Sequence, residues 1–279
     1  MNWINKIFLT TIISFLLLTQ SGQALAQESP PLEDNQKVFD AQSFSKDIRQ
    51  LTLQYRGELE DYRSSEKEYK ILKQQYFQLE TLASLEKSVR ATQAAMVARA
   101  NVLRTYIRLL RFHLLAQAGI ELPEKQAAQQ NLLDTLSKIE QHQQKLAEPL
   151  DKPSIANVAV EFKELFSEIE ESVYRVLALL TVGKLQTVHD KALVLRHDME
   201  EQLATAGGAL KSAERKRSFD ETNRVLSSLK GEFDLVEAKF SDSSDLDYKE
   251  VYQFANDRLS RIYSSLAKAL LFLEELLKI

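Results

Sequence analysis

The chain has no cysteine. No disulfide can staple the fold, and no thiol is present to act as nucleophile or soft metal ligand. It also holds only seven glycines and five prolines in 279 residues, too few for the many turns of a sheet fold. No GxGxxG, P-loop, nucleophile elbow or HExxH pattern occurs, so phosphate cradles and the common hydrolase constellations have no foothold. The four histidines lack the Glu-x-x-His spacing of di-iron helical proteins, and His189 and His197 would stand ~12 Å apart along one helix, too far to share an ion. His197 and Glu201 are four apart and read as a solvated pair. We therefore assign no catalytic, cofactor-binding or metal-binding residue from sequence. The formal charge of −4 argues against a nucleic-acid partner.

What is present is helical composition and helical spacing. Lys6, the apolar run Ile7 to Leu18, and Ala24 and Ala26 have the layout of a secretory signal, with cleavage after Ala26. The run is short against the ~20 residues a spanning helix needs. Cleavage would leave 35 basic against 40 acidic residues. With cysteine and N-x-[ST] sequons both absent, export from a bacterial cytoplasm to an extracytoplasmic location is the expectation.

Pro30, Pro31 and scattered charges make 27–42 read as a flexible linker. The domain 43–279 is expected to be all-α, an elongated antiparallel helical bundle with coiled-coil-like packing around one very long first helix. The helices are expected at about 43–118, 123–147, 153–206, 209–240 and 247–278. Gly119 is read as a left-handed cap on the first, Pro123 as the first turn of the second, and Gly183 as a kink in the third. At 1.5 Å per residue an unbroken first helix would span ~114 Å. The fourth helix carries Phe219, Thr222, Leu226, Leu229, Phe233, Val236 and Phe240 at three-four spacing. The last carries Tyr252, Ala255, Leu259, Ile262, Leu266, Ala269, Leu273 and Leu276.

Three clusters are candidate sites. Tyr55, Tyr62, Tyr69 and Tyr76 recur every seventh residue, one face of a helix, suited either to a core edge or to an aromatic platform for a partner. Arg104, Arg108 and Arg111 stand at i, i+4 and i+7 in a stretch from Lys87 to Ile120 that has no acid. They form a candidate anion-binding face for an anionic membrane or cell-wall polymer, or else pair with Glu161, Glu164, Glu168, Glu170 and Glu171 on the third helix. Beside the apolar seam Leu82, Val89, Met96, Leu103 and Leu110 runs a polar strip of Thr92, Arg99, Tyr106 and His113. If covered, Arg99, Tyr106 and His113 would line a polar cleft for a small ligand, with Arg99 needing an acidic partner.

The segment Tyr69 to Ile120, with TLASLEKSVRATQAAMVARANVLRTYIRLLR at its centre, resembles the long helix of uncharacterised exported helical proteins of bacteria, over less than a third of the chain. The resemblance implies export and a helical fold. It implies no activity, because that family has none assigned. Asn101 stands where the resemblance leads to an acid.

Together these observations point to a non-enzymatic, exported helical scaffold or interaction protein of the cell envelope, with no cofactor. Its partner would be another protein or a second copy docked through helices. The alternatives are a module binding an anionic envelope surface through the Arg face, and a small-ligand sensor.

Overall fold

The computed structural model describes residues 34–205, 213–241 and 248–278, and among these there are six helices and no strand. They are α1 Asp34–Leu79, α2 Leu82–Ala116, α3 Leu122–Lys145, α4 Lys152–Thr205, α5 Ala213–Ser241 and α6 Tyr248–Lys278. The signal-like segment lies outside the described residues. The chain divides into residues 1–43 and 44–279 as two compact units. Within the first unit, residues 34–43 are helical, which corrects the linker reading over 34–42. After Pro31 no proline or glycine occurs before Gly57, so nothing interrupts the helix. All that follows concerns the second unit.

The expected single helix over 43–118 is two helices. Glu80 takes φ 50, left-handed backbone that ends α1. Thr81 then starts α2: its side chain accepts from the Ser84 N–H at 3.2 Å, and Ser84 Oγ accepts from the Thr81 N–H at 3.1 Å. This reciprocal cap satisfies two donors that a helix start leaves open. The chain turns back on itself there. Tyr55 and Tyr106 would be ~76 Å apart on an unbroken helix, yet their ring centroids are 5.7 Å apart.

The next connections also reverse the chain. Asn101 on α2 meets Gln143 on α3, and Arg108 meets Glu140, so those helices run antiparallel. On α3 and α4, Lys145 pairs with Glu161 at 2.8 Å and Thr135 lies 3.1 Å from Ser172, again antiparallel. Gln93 on α2 holds the α3–α4 connection by donating to the carbonyls of Leu146 and Glu148 at 2.8 and 2.7 Å. Asp151 caps α4 through the Ser154 N–H at 2.9 Å.

Two glycines read from sequence have a different role from the one expected. Gly119 is not in the left-handed region; α2 has already ended, with Gln117 as an extended cap. Gly183 lies within the continuous helix α4. Their backbones approach one another: a Cβ on Gly119 would lie 2.1 Å from the Gly183 carbonyl oxygen, and one on Gly183 would lie 2.5 Å from Ile120. The missing side chains let the α2–α3 connection press onto α4. Gly119→Ala is expected to cost about 1–3 kcal/mol, the range for overpacking. Gly57→Ala, in a helix interior where an added Cβ meets nothing within 4 Å, is expected to gain about 0.5–1 kcal/mol. Urea unfolding of the two variants checks both signs.

The 54 residues of α4 serve two cores. Its first half packs on α2 and α3, where Met96, Leu146, Ile155 and Val158 form one cluster. Its second half packs on α5 and α6, where Val182, Leu185, Ala192 and Met199 join a larger one. Of the predicted stripes, Phe219, Thr222, Leu226, Leu229, Phe233 and Val236 are all buried, as are Ala255, Leu259, Ile262, Leu266, Ala269 and Leu273. His189 is buried between α4 and α5. Its Nε2–H donates to the Leu226 carbonyl at 3.1 Å, and its ring lies edge-on to Phe233. Arg258 on α6 pairs with Glu232 on α5 at 2.8 Å.

Candidate functional site

The tyrosine stripe of α1 and the polar strip of α2 are two sides of one contact. The α1–α2 hairpin is antiparallel, so every seventh residue going up α1 meets every seventh going down α2. Tyr55 packs on Tyr106, Gln54 Nε2 donates to Thr105 Oγ1 at 3.4 Å, and Tyr62 and Arg99 act on one another electrostatically. Farther along, Lys152 at the start of α4 donates to the Tyr76 hydroxyl at 3.3 Å. The stripe is therefore the inner side of α1, lying along both α2 and α4. Tyr55 is buried at 4% exposure, and Tyr62, Tyr69 and Tyr76 are half-buried. The contact is made by long side chains of both helices.

Arg99 sits in this contact with its guanidinium carbon 3.4 Å from the centroid of Phe162 on α4. Burial lowers its pKa to about 10, against the raising influence of Tyr62, Glu66 and Tyr69, so it stays a cation at neutral pH. The acidic partner expected from sequence is not bonded to it. The nearest candidate, Glu66, pairs with Lys70 at 3.1 Å. The Arg99 Nε is buried without a hydrogen-bond partner among the described residues. His142 on α3 stacks on the same Phe162 at 5.1 Å, and burial, then Arg99, holds its imidazole below its ordinary range.

The rest of the strip lies elsewhere. Tyr106 is buried where α1, α2, α4 and α6 meet, with Tyr55 against it and Tyr174 and Tyr252 stacked on one another nearby at 5.1 Å. Burial pushes its hydroxyl well above the ordinary phenol range, with the other three tyrosines adding to the shift. Tyr55 is pushed up to about 12 by burial. His113, one heptad on, is driven down to about 4 by burial and by Lys184 of α4. Arg99 and His113 are fourteen residues apart on one helix, ~21 Å. The single cleft read from Arg99, Tyr106 and His113 is thus three separate neighbourhoods.

The Arg face turns toward α3. Arg104 donates to Gln143 Oε1 and to Asn101 Oδ1, both at 3.4 Å, and Arg108 pairs with Glu140 at 3.6 Å. Arg111 is half-buried, with its Nε enclosed. Of the glutamates of α4 expected to face these arginines, Glu168 pairs instead with Lys138 and Glu161 with Lys145, both on α3. Helix order explains it, since α3 lies against both and supplies a partner to each. Asn101 accepts from Gln143 Nε2 at 2.7 Å as well as from Arg104, tying α2 to α3 at the position where the resemblance led to an acid.

His197 and Glu201 lie 3.4 Å apart, both exposed. Among the described residues no group of three or more His, Asp or Glu side chains is placed to hold a metal ion, and no helix is long and apolar enough to cross a membrane. Sequence reasoning missed Glu66, His142, Phe162, Tyr174 and Tyr252 as neighbours of the strip. Only Glu66, four residues from Tyr62, carried a local signal. No protein-family model, no curated protein and no solved structure matches the chain.

Proposed function

We propose that this chain is an exported, non-enzymatic helical scaffold of the cell envelope, an elongated antiparallel bundle with coiled-coil-like packing that works through its surface. The observation that carries this reading is the α1–α2 turn, where Phe77, Leu79 and Leu82 are 64%, 62% and 72% exposed. Three large apolar side chains left in water together at one turn form the kind of apolar patch that marks a docking surface. Leu53 and Ile71, five helical turns apart, extend apolar surface along the outer side of α1, a half-turn from Tyr62. The inner groups also favour binding over proton transfer: at neutral pH Tyr55 and Tyr106 stay protonated, Arg99 charged and His113 neutral.

Replacing Phe77, Leu79 and Leu82 by serine tests the reading. Because the side chains are exposed, the melting curve should hold, while crosslinks to envelope proteins or to a second copy should disappear. Crosslinking that survives the triple change overturns it. Export is tested by N-terminal sequencing of the mature protein, which should begin at Gln27; an intact leader would remove the envelope from the proposal.

The Arg face supports the anionic-surface alternative less well, since Arg104 and Arg108 are engaged by α3. Replacing Arg104, Arg108 and Arg111 by glutamine should leave anionic-liposome sedimentation unchanged. It should lower stability by only about 1–3 kcal/mol in total, the worth of a few half-exposed pairs. Strong salt-sensitive binding lost in that variant would restore the alternative.

A further inference from the structure

We propose that the space between α1 and the groove of α2 and α4 binds a small oxyanion, a carboxylate or phosphate group, with Arg99 and the Tyr62 hydroxyl as its ligands. The proposal stands apart from the scaffold reading. It concerns the inner side of α1, not its turn.

Arg99 is a cation whose flat face is taken by Phe162 and whose edge is not taken by protein. It forms no hydrogen bond and no ion pair with any described residue, and its Nε is enclosed. A guanidinium in that position has lost hydration without gaining a partner, a costly state unless an anion completes it. Stacking on an aromatic ring leaves the N–H edge open, and that edge matches a carboxylate or phosphate in bidentate fashion.

The surrounding charges leave room for one negative charge. Lys145 and Glu161 neutralise each other at 2.8 Å, and Lys70 neutralises Glu66 at 3.1 Å. His142 is held neutral against Phe162, buried to 4% exposure, and its Nε2 has no hydrogen-bond partner among the described residues. The positive charge of Arg99 therefore remains over. Tyr62, facing it from α1, bonds to no described residue through its hydroxyl, and burial keeps that hydroxyl protonated and able to donate. Access follows from the exposure of the two ligands: Tyr62 and Arg99 are each only partly buried, so a small ion can reach them from solvent.

The probes are sodium phosphate and sodium acetate, each titrated into the full chain against sodium chloride at constant ionic strength. The midpoint of thermal unfolding is followed. An oxyanion that binds only the folded state should raise the midpoint by roughly 3–6 °C at ten times its Kd. Phosphate acting alone points to a phosphoryl ligand, and acetate acting alone to a carboxylate. Arg99→Gln should abolish the response while Arg108→Gln, on the face turned to α3, keeps it. If Arg99→Gln fails to fold, Tyr62→Phe keeps the ring and removes one donor. It should weaken the apparent Kd about ten- to a hundredfold, the worth of one hydrogen bond to an ion. No response of the wild type to either anion up to 100 mM, or an equal response in wild type and both variants, overturns the proposal.

Discussion

Tyr106→Ala should lower stability by about 3–5 kcal/mol, the range for truncating a buried aromatic ring, and the melting temperature by roughly 8–15 °C for a chain of this size. Tyr106 is 6% exposed and sits where four helices meet, so the surroundings cannot collapse into the void without moving α1 or α6. The neighbouring hydroxyl should behave in the opposite sense. Tyr55 Oη is buried without a hydrogen-bond partner among the described residues, so Tyr55→Phe should be neutral or stabilising by about 1 kcal/mol, because it removes an unpaid desolvation cost. Tyr62→Ala and Tyr69→Ala, on rings that keep part of their surface in water, should cost about 2 kcal/mol each. Thermal melts of the four variants rank them. Equal losses at Tyr106 and Tyr69 would show that α1 and the four-helix junction unfold as one face with no tighter centre.

The stripes of α5 and α6 were legible because each helix buries a single face, and three-four spacing reports a single buried face directly. Phe219 through Val236 are buried at every predicted position. The turn at Glu80 was not legible in the same way. It uses neither glycine nor proline, the two residues that usually mark a helix end. The signal was a slip of phase: the tyrosine heptad ends at Tyr76, and the next apolar heptad begins at Leu82, six residues on. Thr81 and Ser84 were the cap. Once the chain turns there, two strips read as separate candidate surfaces, Tyr55 to Tyr76 and Thr92 to His113, face one another. Register between helices is a tertiary quantity, and no spacing within one helix contains it. The same limit explains Arg108, whose partner Glu140 stands on the helix next in order and outside the acid-rich face of α4.

Acidification should destabilise the fold in a window that belongs to histidine. His113 has its pKa lowered to about 4 in the folded chain, by burial first and then by Lys184. The unfolded chain binds the same proton near the ordinary value of 6.5. The neutral form is thus the one the fold prefers: the stabilisation is complete above pH 6.5 and is lost as pH falls toward 4. Over that interval the difference of some two to three pKa units corresponds to about 3 kcal/mol. His142 adds in the same direction, since burial and Arg99 lower it too. The carboxylates held below their ordinary values, Asp151 by Ser154 and Glu221 by Arg224, lose their contributions only as pH falls below the usual carboxylate range. Urea midpoints measured from pH 7 to pH 4.5 therefore isolate the histidines. The wild-type midpoint should fall steadily across the window, and His113→Gln should flatten most of the slope. A wild type equally stable at pH 7 and pH 4.5 would mean that protonated His113 is accommodated by water beside Lys184, and that the contact of α2 with α4 opens there at little cost.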